Sequence, residues 1–332
     1  MNETTAIILA AGISSRMNTR MPKVLHEVCG RPMLTYVLDA CRQAGIEKMY
    51  VVVGFACEQV KERFADSDDI VWVLQEKQLG TGHAVLCCKE HLQDFQGQTF
   101  ILCGDGPLIR TQTLTKLIKE HEAGHSAATL ATTVLEDPTG YGRIVRDEYG
   151  IIKGIVEHSD CTQEQLEIKE VNPSYYLFNN KILFDMLKNI KPDNVKGEYY
   201  LTDVISGILA TDHKVLAIQA VLPEEALSIN SRKQLSEVSK IMQNRIQKQL
   251  MEDGVTIVDP DNTWIDARAT IGQDTIIEPF TYIHGQVSIG RNCRIGPFAY
   301  LSGGTIINDN VVLGVFTEDA NKLGGKADKN VS

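Results

Sequence analysis

The strongest constraint in this chain is a period of six. Aliphatic residues occupy Ile265, Ile271, Ile277, Ile283, Ile289, Ile295, Leu301, Ile307 and Leu313 without a break. A helix at 3.6 residues per turn cannot keep such a row on one face, and no ordinary strand runs this far. A parallel β-helix can: each hexapeptide makes one short side of a triangular coil and stacks its aliphatic residue inside. Small or β-branched residues often sit four positions on (Ala269, Thr275, Thr281, Val287, Ala299, Thr305), and glycine often follows the aliphatic one. Nine hexads give about three coils. So short a stack leaves flank and ends uncovered, which predicts assembly, with a homotrimer as the expected form.

Before the repeat, Leu235, Val238, Met242, Ile246 and Leu250 recur every three or four residues on a polar background. The spacing predicts one amphipathic helix over 231–253, ~33 Å long at 1.5 Å per residue, acting as a strut between domains. The first 230 residues alternate short apolar runs (5–10, 49–53, 71–74, 100–103) with helical patterns (32–44, 111–123). Such alternation predicts an α/β fold: a mostly parallel, Rossmann-like sheet with helices on both faces and ligands at the carboxyl ends of the strands. The expected division is 1–230, a linker helix 231–254, the coil 255–318 and a polar, frayed tail 319–332.

Composition narrows the function classes. There are 33 basic against 43 acidic side chains, a net charge of −10, and no basic stripe to neutralise a nucleic-acid backbone. No apolar run approaches the ~20 residues of a membrane span, and the first residues carry no signal-peptide pattern. Eight cysteines without C-x-x-C spacing read as reduced thiols, so a cytoplasmic protein with no membrane or nucleic-acid partner is expected.

Chemistry enters at Leu9-Ala10-Ala11-Gly12-Ile13-Ser14-Ser15-Arg16-Met17, followed by Pro22-Lys23. The string joins the first strand to the first helix. Small residues there let backbone N–H groups approach an anion, and Arg16 and Lys23 bring two positive charges to a polyphosphate. It is neither a Walker A loop nor G-x-G-x-x-G. Taken on its own it could also be a tight turn with two solvated cations.

The string resembles the nucleotidyltransferase signature L-A-A-G-x-G-T-R-M-x4-P-K of sugar-nucleotide pyrophosphorylases. Within that group, Gln75-Glu76-Lys77-Gln78-Leu79-Gly80-Thr81-Gly82-His83-Ala84, Gly104-Asp105, Asp137-Pro138-Thr139-Gly140-Tyr141-Gly142-Arg143-Ile144, Gly154-Ile155-Val156-Glu157-His158 and Gly197-Glu198-Tyr199-Tyr200-Leu201-Thr202-Asp203 resemble the bacterial N-acetylglucosamine-1-phosphate uridyltransferases of the GlmU type. The resemblance runs from about residue 5 to about 315. It implies a GT-A-like, mixed or parallel sheet domain followed by a long helix and a short left-handed coil, a nucleotide loop of Leu9, Ala10, Ala11 and Gly12, and a uracil-reading set of Gln75, Gln78, Gly80 and Thr81. It implies catalytic roles for Arg16, Lys23 and Asp105. Gly104, Gly140, Glu157 and Asn172 would contact the amino sugar, and Asp105 with Asn230 would hold Mg2+. Asp105 could instead cap a strand end, and Asn230 could cap the long helix or serve both purposes. His83 reads as a hydrogen bonder at a helix start, Cys87 and Cys88 as core, Asp66–Asp69 and Glu224-Glu225 as solvated loops, and His284 as a surface position.

The implied reaction is Mg2+-dependent uridylyl transfer from UTP to N-acetylglucosamine-1-phosphate. Departures fall at Ser14 and Ser15 in the phosphate loop, and around the sugar at Cys103, Gly106 and Pro173-Ser174-Tyr175. The sugar departures keep open transfer to another hexose-1-phosphate from UTP or dTTP. A non-catalytic regulatory paralogue is the other alternative. Bifunctional members of the family continue the coil into a coenzyme A-dependent acetyltransferase, and about three coils predict no such activity here.

Overall fold

The strand Thr4–Leu9 (β1) is apolar and buried on both sides over Ala6, Ile7 and Ile8, so it needs a strand at each edge and helices on each face. The computed structural model supplies both, and describes residues 3–12, 15–54 and 56–314. The expectations for Ser14 and for the tail 319–332 therefore lie outside the described residues. The chain forms two units, one of residues up to 26 with 33–234, the other of 27–32 with 235 onward.

In the first unit β1 pairs in parallel with β4 (Met49–Val53) and β6 (Gln98–Cys103), and β4 with β5 (Ile70–Leu74). A short hairpin, β2 (Glu27–Val28) with β3 (Arg31–Pro32), interrupts this order and belongs to the second unit. The helix Met33–Gln43 buries Met33, Leu34, Val37, Leu38, Ala40 and Cys41 on one face and ends before Gly45, whose φ of +81° needs no side chain.

Beyond β6 the sheet becomes mixed, with antiparallel pairs and one further parallel pair, β12 on β7. β7 (Ala128–Val134), β8 (Gly142–Arg146), β9 (Ile152–Val156), β10 (Glu170–Asn172), β11 (Tyr176–Asn179) and β12 (Val215–Gln219) complete the order β5-β4-β1-β6-β11-β7-β10-β8-β9, with β12 also on β7. β11 runs antiparallel to both β6 and β7, and β8, β9 and β10 form antiparallel pairs. The sheet is thus the mixed, Rossmann-like one expected, with fewer parallel pairs than the alternation alone suggests, and at β8–β9 the cause of the reversal is local. Asp147 accepts the amides of Tyr149 and Ile151 at 3.1 and 2.9 Å, closing a tight turn with no room for the crossover a parallel pair requires.

The second unit realises the six-residue period. Strand pairs two residues long stack in parallel in three ladders, with Ile257, Ile277, Ile295 and Leu313 in one, Ile265, Ile283 and Leu301 in the next, and Ile271, Ile289 and Ile307 in the third. Three ladders closing on one aliphatic column make a parallel β-helix. The long helix spans Arg232–Glu252 and buries Val238 and Met242, as its spacing predicts, but also Gln243 and Gln247. Their amides replace missing ladder partners: Gln243 Oε1 accepts the amide of Ile265 at 2.8 Å, and Gln247 Nε2 donates to the Thr263 carbonyl at 2.8 Å.

One buried base makes the first unit acid-sensitive. His121, on the helix Thr111–Gly124, has Nδ1 2.9 Å from Thr129 Oγ1, and burial lowers its pKa from 6.5 to about 4. Between those values the unfolded chain takes up a proton that the folded chain refuses. The contribution to stability is therefore full above the unfolded value and is lost as pH falls toward the folded one. His121→Gln is expected to flatten the fall in unfolding free energy, read from urea titrations between pH 6.5 and 4, by an amount on the order of 2 kcal/mol; an unchanged slope would assign the acid sensitivity to other groups.

Candidate functional site

Two neighbouring strand ends place the site. At the carboxyl end of β1, Leu9 accepts the Gly104 amide at 2.9 Å, and Ala10 donates to Val52 at 2.8 Å, so the loop 10–12 leaves the sheet beside the end of β6. Asp105 follows that end, and its carbonyl accepts the amide of Ile229 at 3.0 Å. This backbone bond sets Asn230 next to Asp105 despite their separation in sequence. Arg232 donates from Nε to the Met17 carbonyl at 3.3 Å, tying the turn Ser15–Met17 that carries Arg16 to the same segment.

Lys23 closes the group. It opens the short turn Lys23–Leu25 after Pro22, anchored by buried Val24. Its ammonium donates to Asp105 Oδ2 and, at 2.9 Å, to Asn230 Oδ1. The side chains of Lys23 and Asp105 are only 14% and 16% exposed. A carboxylate and an amide oxygen thus converge on one cation. No group of three or more acidic, histidine or cysteine side chains suited to a metal occurs among the described residues. A hard divalent ion fits this pair all the same, because Mg2+ commonly takes one or two protein oxygens and fills its remaining positions with water and phosphate. Asn230 does not cap the long helix: Ser231 Oγ accepts the Gln234 amide at 3.2 Å and does that work, leaving Asn230 Oδ1 facing Lys23.

Two cavities meet at Cys103 and Asp105. The first, about 300 Å3, is lined by every residue expected to hold the nucleotide: Leu9, Ala10, Ala11, Gly12, Lys23, Gln75, Gln78, Gly80 and Thr81. Gln75 is 3% exposed, and its Nε2 donates to the Gly80 carbonyl at 3.2 Å and to His83 Nδ1 at 3.0 Å. That fixes the amide with its oxygen unspent. Gln78 Nε2 donates to the Gln75 carbonyl at 3.1 Å, so the two amides form one unit. His83 holds Gln75 from the helix Thr81–Leu86, in the plain role its sequence position predicts.

The second cavity, about 270 Å3, is lined by Arg16, Gly140, Glu157 and Asn172 together with Gly106, Tyr141 and Tyr175. Glu157 accepts from Thr202 Oγ1 at 3.1 Å, and burial raises its pKa above the ordinary carboxylate value. Asn172 donates to the Tyr176 hydroxyl and accepts the Ser174 amide at 3.1 Å, so its amide is fixed by its own strand turn. Gly104 lines neither cavity among the residues found there; it is buried, and its amide serves Leu9.

Several members of the site carry no signal a spacing rule can read. Glu198 lines the first cavity. Gly54 lies under Gln78, whose Nε2 would be 2.5 Å from any Cβ placed there. Arg143 is 1% exposed and donates to the carbonyls of Pro138, at 2.7 Å, and Tyr141, shaping the Gly140 turn; an arginine amid apolar strand neighbours was the one available hint. The reading of Glu224-Glu225 as a solvated loop is corrected. Glu225 is 2% exposed, its carboxylate accepts from Thr113 Oγ1 at 2.7 Å, and its carbonyl accepts from Tyr175 of the second cavity at 2.9 Å. Asp69 likewise takes a bidentate bond from Arg42 at 2.7 and 2.9 Å. Cys88 is core, Cys87 is half-buried and packs against it, and His284 is half exposed beside Tyr282.

Gly80 is the position most exposed to a single change. Its φ is +114°, and a Cβ would lie 2.6 Å from the Tyr199 carbonyl. Gly80→Ala is expected to push the 198–201 segment off the loop 78–81, which is expected to hold the base. Nucleotide affinity, read by isothermal titration, should fall at least ~10-fold while the melting temperature drops by a few degrees; unaltered affinity would show that the loop does not hold the base.

Comparison with known proteins agrees with this layout. Residues 6–167 match the MobA-like NTP transferase domain, and residues 268–303 and 286–318 match the bacterial transferase hexapeptide repeats. The chain is 47% identical over 279 residues to the bifunctional protein GlmU of Listeria monocytogenes, covering 84% of this chain and 61% of the relative. It is 48% identical over 276 residues to that of Geobacillus thermodenitrificans, covering 83% and 60%. The chain therefore spans about three fifths of the length of the curated relatives it matches. A solved UDP-glucose pyrophosphorylase complexed with UDP-glucose shares the fold at a TM-score of 0.60 and 17% identity, over 73% of this chain and 99% of that one. An NTP transferase domain followed by hexapeptide repeats, at 47% identity over 84% of this chain, is the layout the chain shares with the bifunctional GlmU proteins.

Proposed function

We propose that this protein is a Mg2+-dependent uridylyltransferase making UDP-N-acetylglucosamine and pyrophosphate from UTP and N-acetylglucosamine-1-phosphate. The observation that carries the reading is the junction of Lys23, Asp105 and Asn230 where the two cavities meet. Triphosphate in the first cavity would present its α-phosphorus there, and a sugar phosphate in the second would approach from the other side. A phosphate oxygen of the sugar forms the new P–O bond, the bond to the β-phosphate breaks, and pyrophosphate leaves with the electron pair. The attacking oxygen is already anionic, so no general base is needed. Alignment and positive charge are what the site has to supply.

Lys23 in the lining of the first cavity and Arg16 in that of the second would provide that charge, each on a turn held by buried neighbours. Asp105 and Asn230 would hold Mg2+, which when bound draws phosphate oxygens together and neutralises the leaving pyrophosphate. The unspent oxygen of Gln75 and the Gln78 amide face the base. Glu157 offers acceptors to sugar hydroxyls. A non-catalytic paralogue is disfavoured because all four charge-handling residues are present and converge. The exposed aromatic flank of the coil, with Tyr282 stacked on Trp264 and Tyr300, fits the expected homotrimer. No helix among the described residues is long and apolar enough to cross a membrane.

A second reading concerns the sugar alone. Cys103 and Gly106 line the sugar-side cavity with little bulk, and a Cβ at Gly106 would find nothing closer than 3.9 Å. That room favours testing other hexose-1-phosphates beside N-acetylglucosamine-1-phosphate.

A pyrophosphate-release assay crossing four nucleoside triphosphates with several sugar-1-phosphates is expected to single out UTP with N-acetylglucosamine-1-phosphate. No release with any pair would overturn the enzyme reading. Lys23→Ala is expected to cost ~2.7–4 kcal/mol in activation free energy, a loss in kcat rather than a rise in sugar KM; an unchanged kcat would remove Lys23 from the machinery.

A further inference from the structure

The oxygens assigned to the metal already hold a cation. Asp105 Oδ2 and Asn230 Oδ1 both accept from the one ammonium of Lys23. We propose that Lys23 is a resident counter-cation at this position, occupying it in the nucleotide-free protein and leaving only when a triphosphate offers its own oxygens, so that the divalent ion enters with the nucleotide and not before it. The inference rests on the reading of Asp105 and Asn230 as metal ligands and adds an order of binding to it.

The oxygen pair is rigid and the lysine is not. Asn230 Nδ2 donates to Ser228 Oγ at 3.1 Å, and its amide donates to Gln234 Oε1 at 2.9 Å, so Oδ1 cannot turn away. Asp105 is fixed through its carbonyl to Ile229. Lys23 hangs on four rotatable bonds and lines the nucleotide cavity, so the way out of the pair leads to where triphosphate would lie. Side chains this enclosed screen one another poorly, and an ammonium and a divalent ion cannot share two oxygens without strong repulsion. Without nucleotide, the metal must expel Lys23 into a cavity where the only other lining carboxylate found is Glu198, a single charge on the far segment 198–201, against the several phosphate oxygens a nucleotide brings. With nucleotide, the phosphates accept the ammonium and complete the metal's ligands together.

The test is direct metal binding, without turnover. Mn2+ is titrated, with the free ion followed by electron paramagnetic resonance, into the wild type, Lys23→Gln, Lys23→Met and Asp105→Asn, each with and without α,β-methylene-UTP. Circular dichroism checks that each variant is folded, and either lysine variant suffices if the other fails. The lysine variants are expected to bind Mn2+ alone at least ~10-fold more tightly than the wild type, with the gap closing when the analogue is present. Equal binding of Mn2+ alone by wild type and lysine variants, while Asp105→Asn loses the Mn2+–analogue complex, would overturn the counter-cation role and leave the metal site standing. Retention of that complex by Asp105→Asn would overturn the metal assignment itself, and this proposal with it.

Discussion

The bond from Lys23 to Asp105 and Asn230 is the point on which the site depends, because it joins three stretches of chain that the sheet alone would leave apart. The Lys23 turn comes from the first crossover, Asp105 from the end of β6, and Asn230 from the segment that starts the long helix. A lone carboxylate this enclosed would be costly without a positive partner. The same enclosure makes it an effective holder of positive charge once a polyphosphate arrives. Stability of the empty protein and readiness for an anionic ligand therefore come from one electrostatic arrangement.

On the proposed reading, the two cavities sharing Asp105 and Cys103 would let transfer proceed by positioning, without a nucleophile or base at their junction. Burial and the neighbouring Asp105 carboxylate push the Cys103 thiol up to about 12, so it stays neutral near pH 7 and cannot attack phosphorus. Glu157, in the lining of the second cavity, has its carboxyl held above its ordinary value by burial. What remains is positioning. Each reactant would meet a separate wall: on one side a glutamine pair locked from behind, on the other turns that Arg143 and two tyrosines brace.

Much of this was legible before any coordinates because two kinds of physics write themselves into sequence. Periodicity does: a row of isoleucines every six residues has one economical solution, and the three ladders are it. Loop chemistry does as well, since a small-residue turn with Arg16 and Lys23 has few uses. The antiparallel half of the sheet was not legible, because strands such as Gly142–Arg146 carry arginines that disguise them and their turns are short. Nor were Gly54, Glu198 and Glu225, whose roles are fixed by contacts far away in the chain. Gln243 and Gln247 belong to the same class: polar residues on an apolar helix face, recognisable only once the unpaired backbone they satisfy is seen.

The most direct test of the account is a crystal structure with α,β-methylene-UTP, N-acetylglucosamine-1-phosphate and Mn2+, with the metal located by its anomalous signal. The account predicts a peak between the side-chain oxygens of Asp105 and Asn230, with the Lys23 ammonium moved onto phosphate and the base against Gln75 and Gln78. A metal peak elsewhere, with Lys23 still on Asp105 and nucleotide bound, would contradict it.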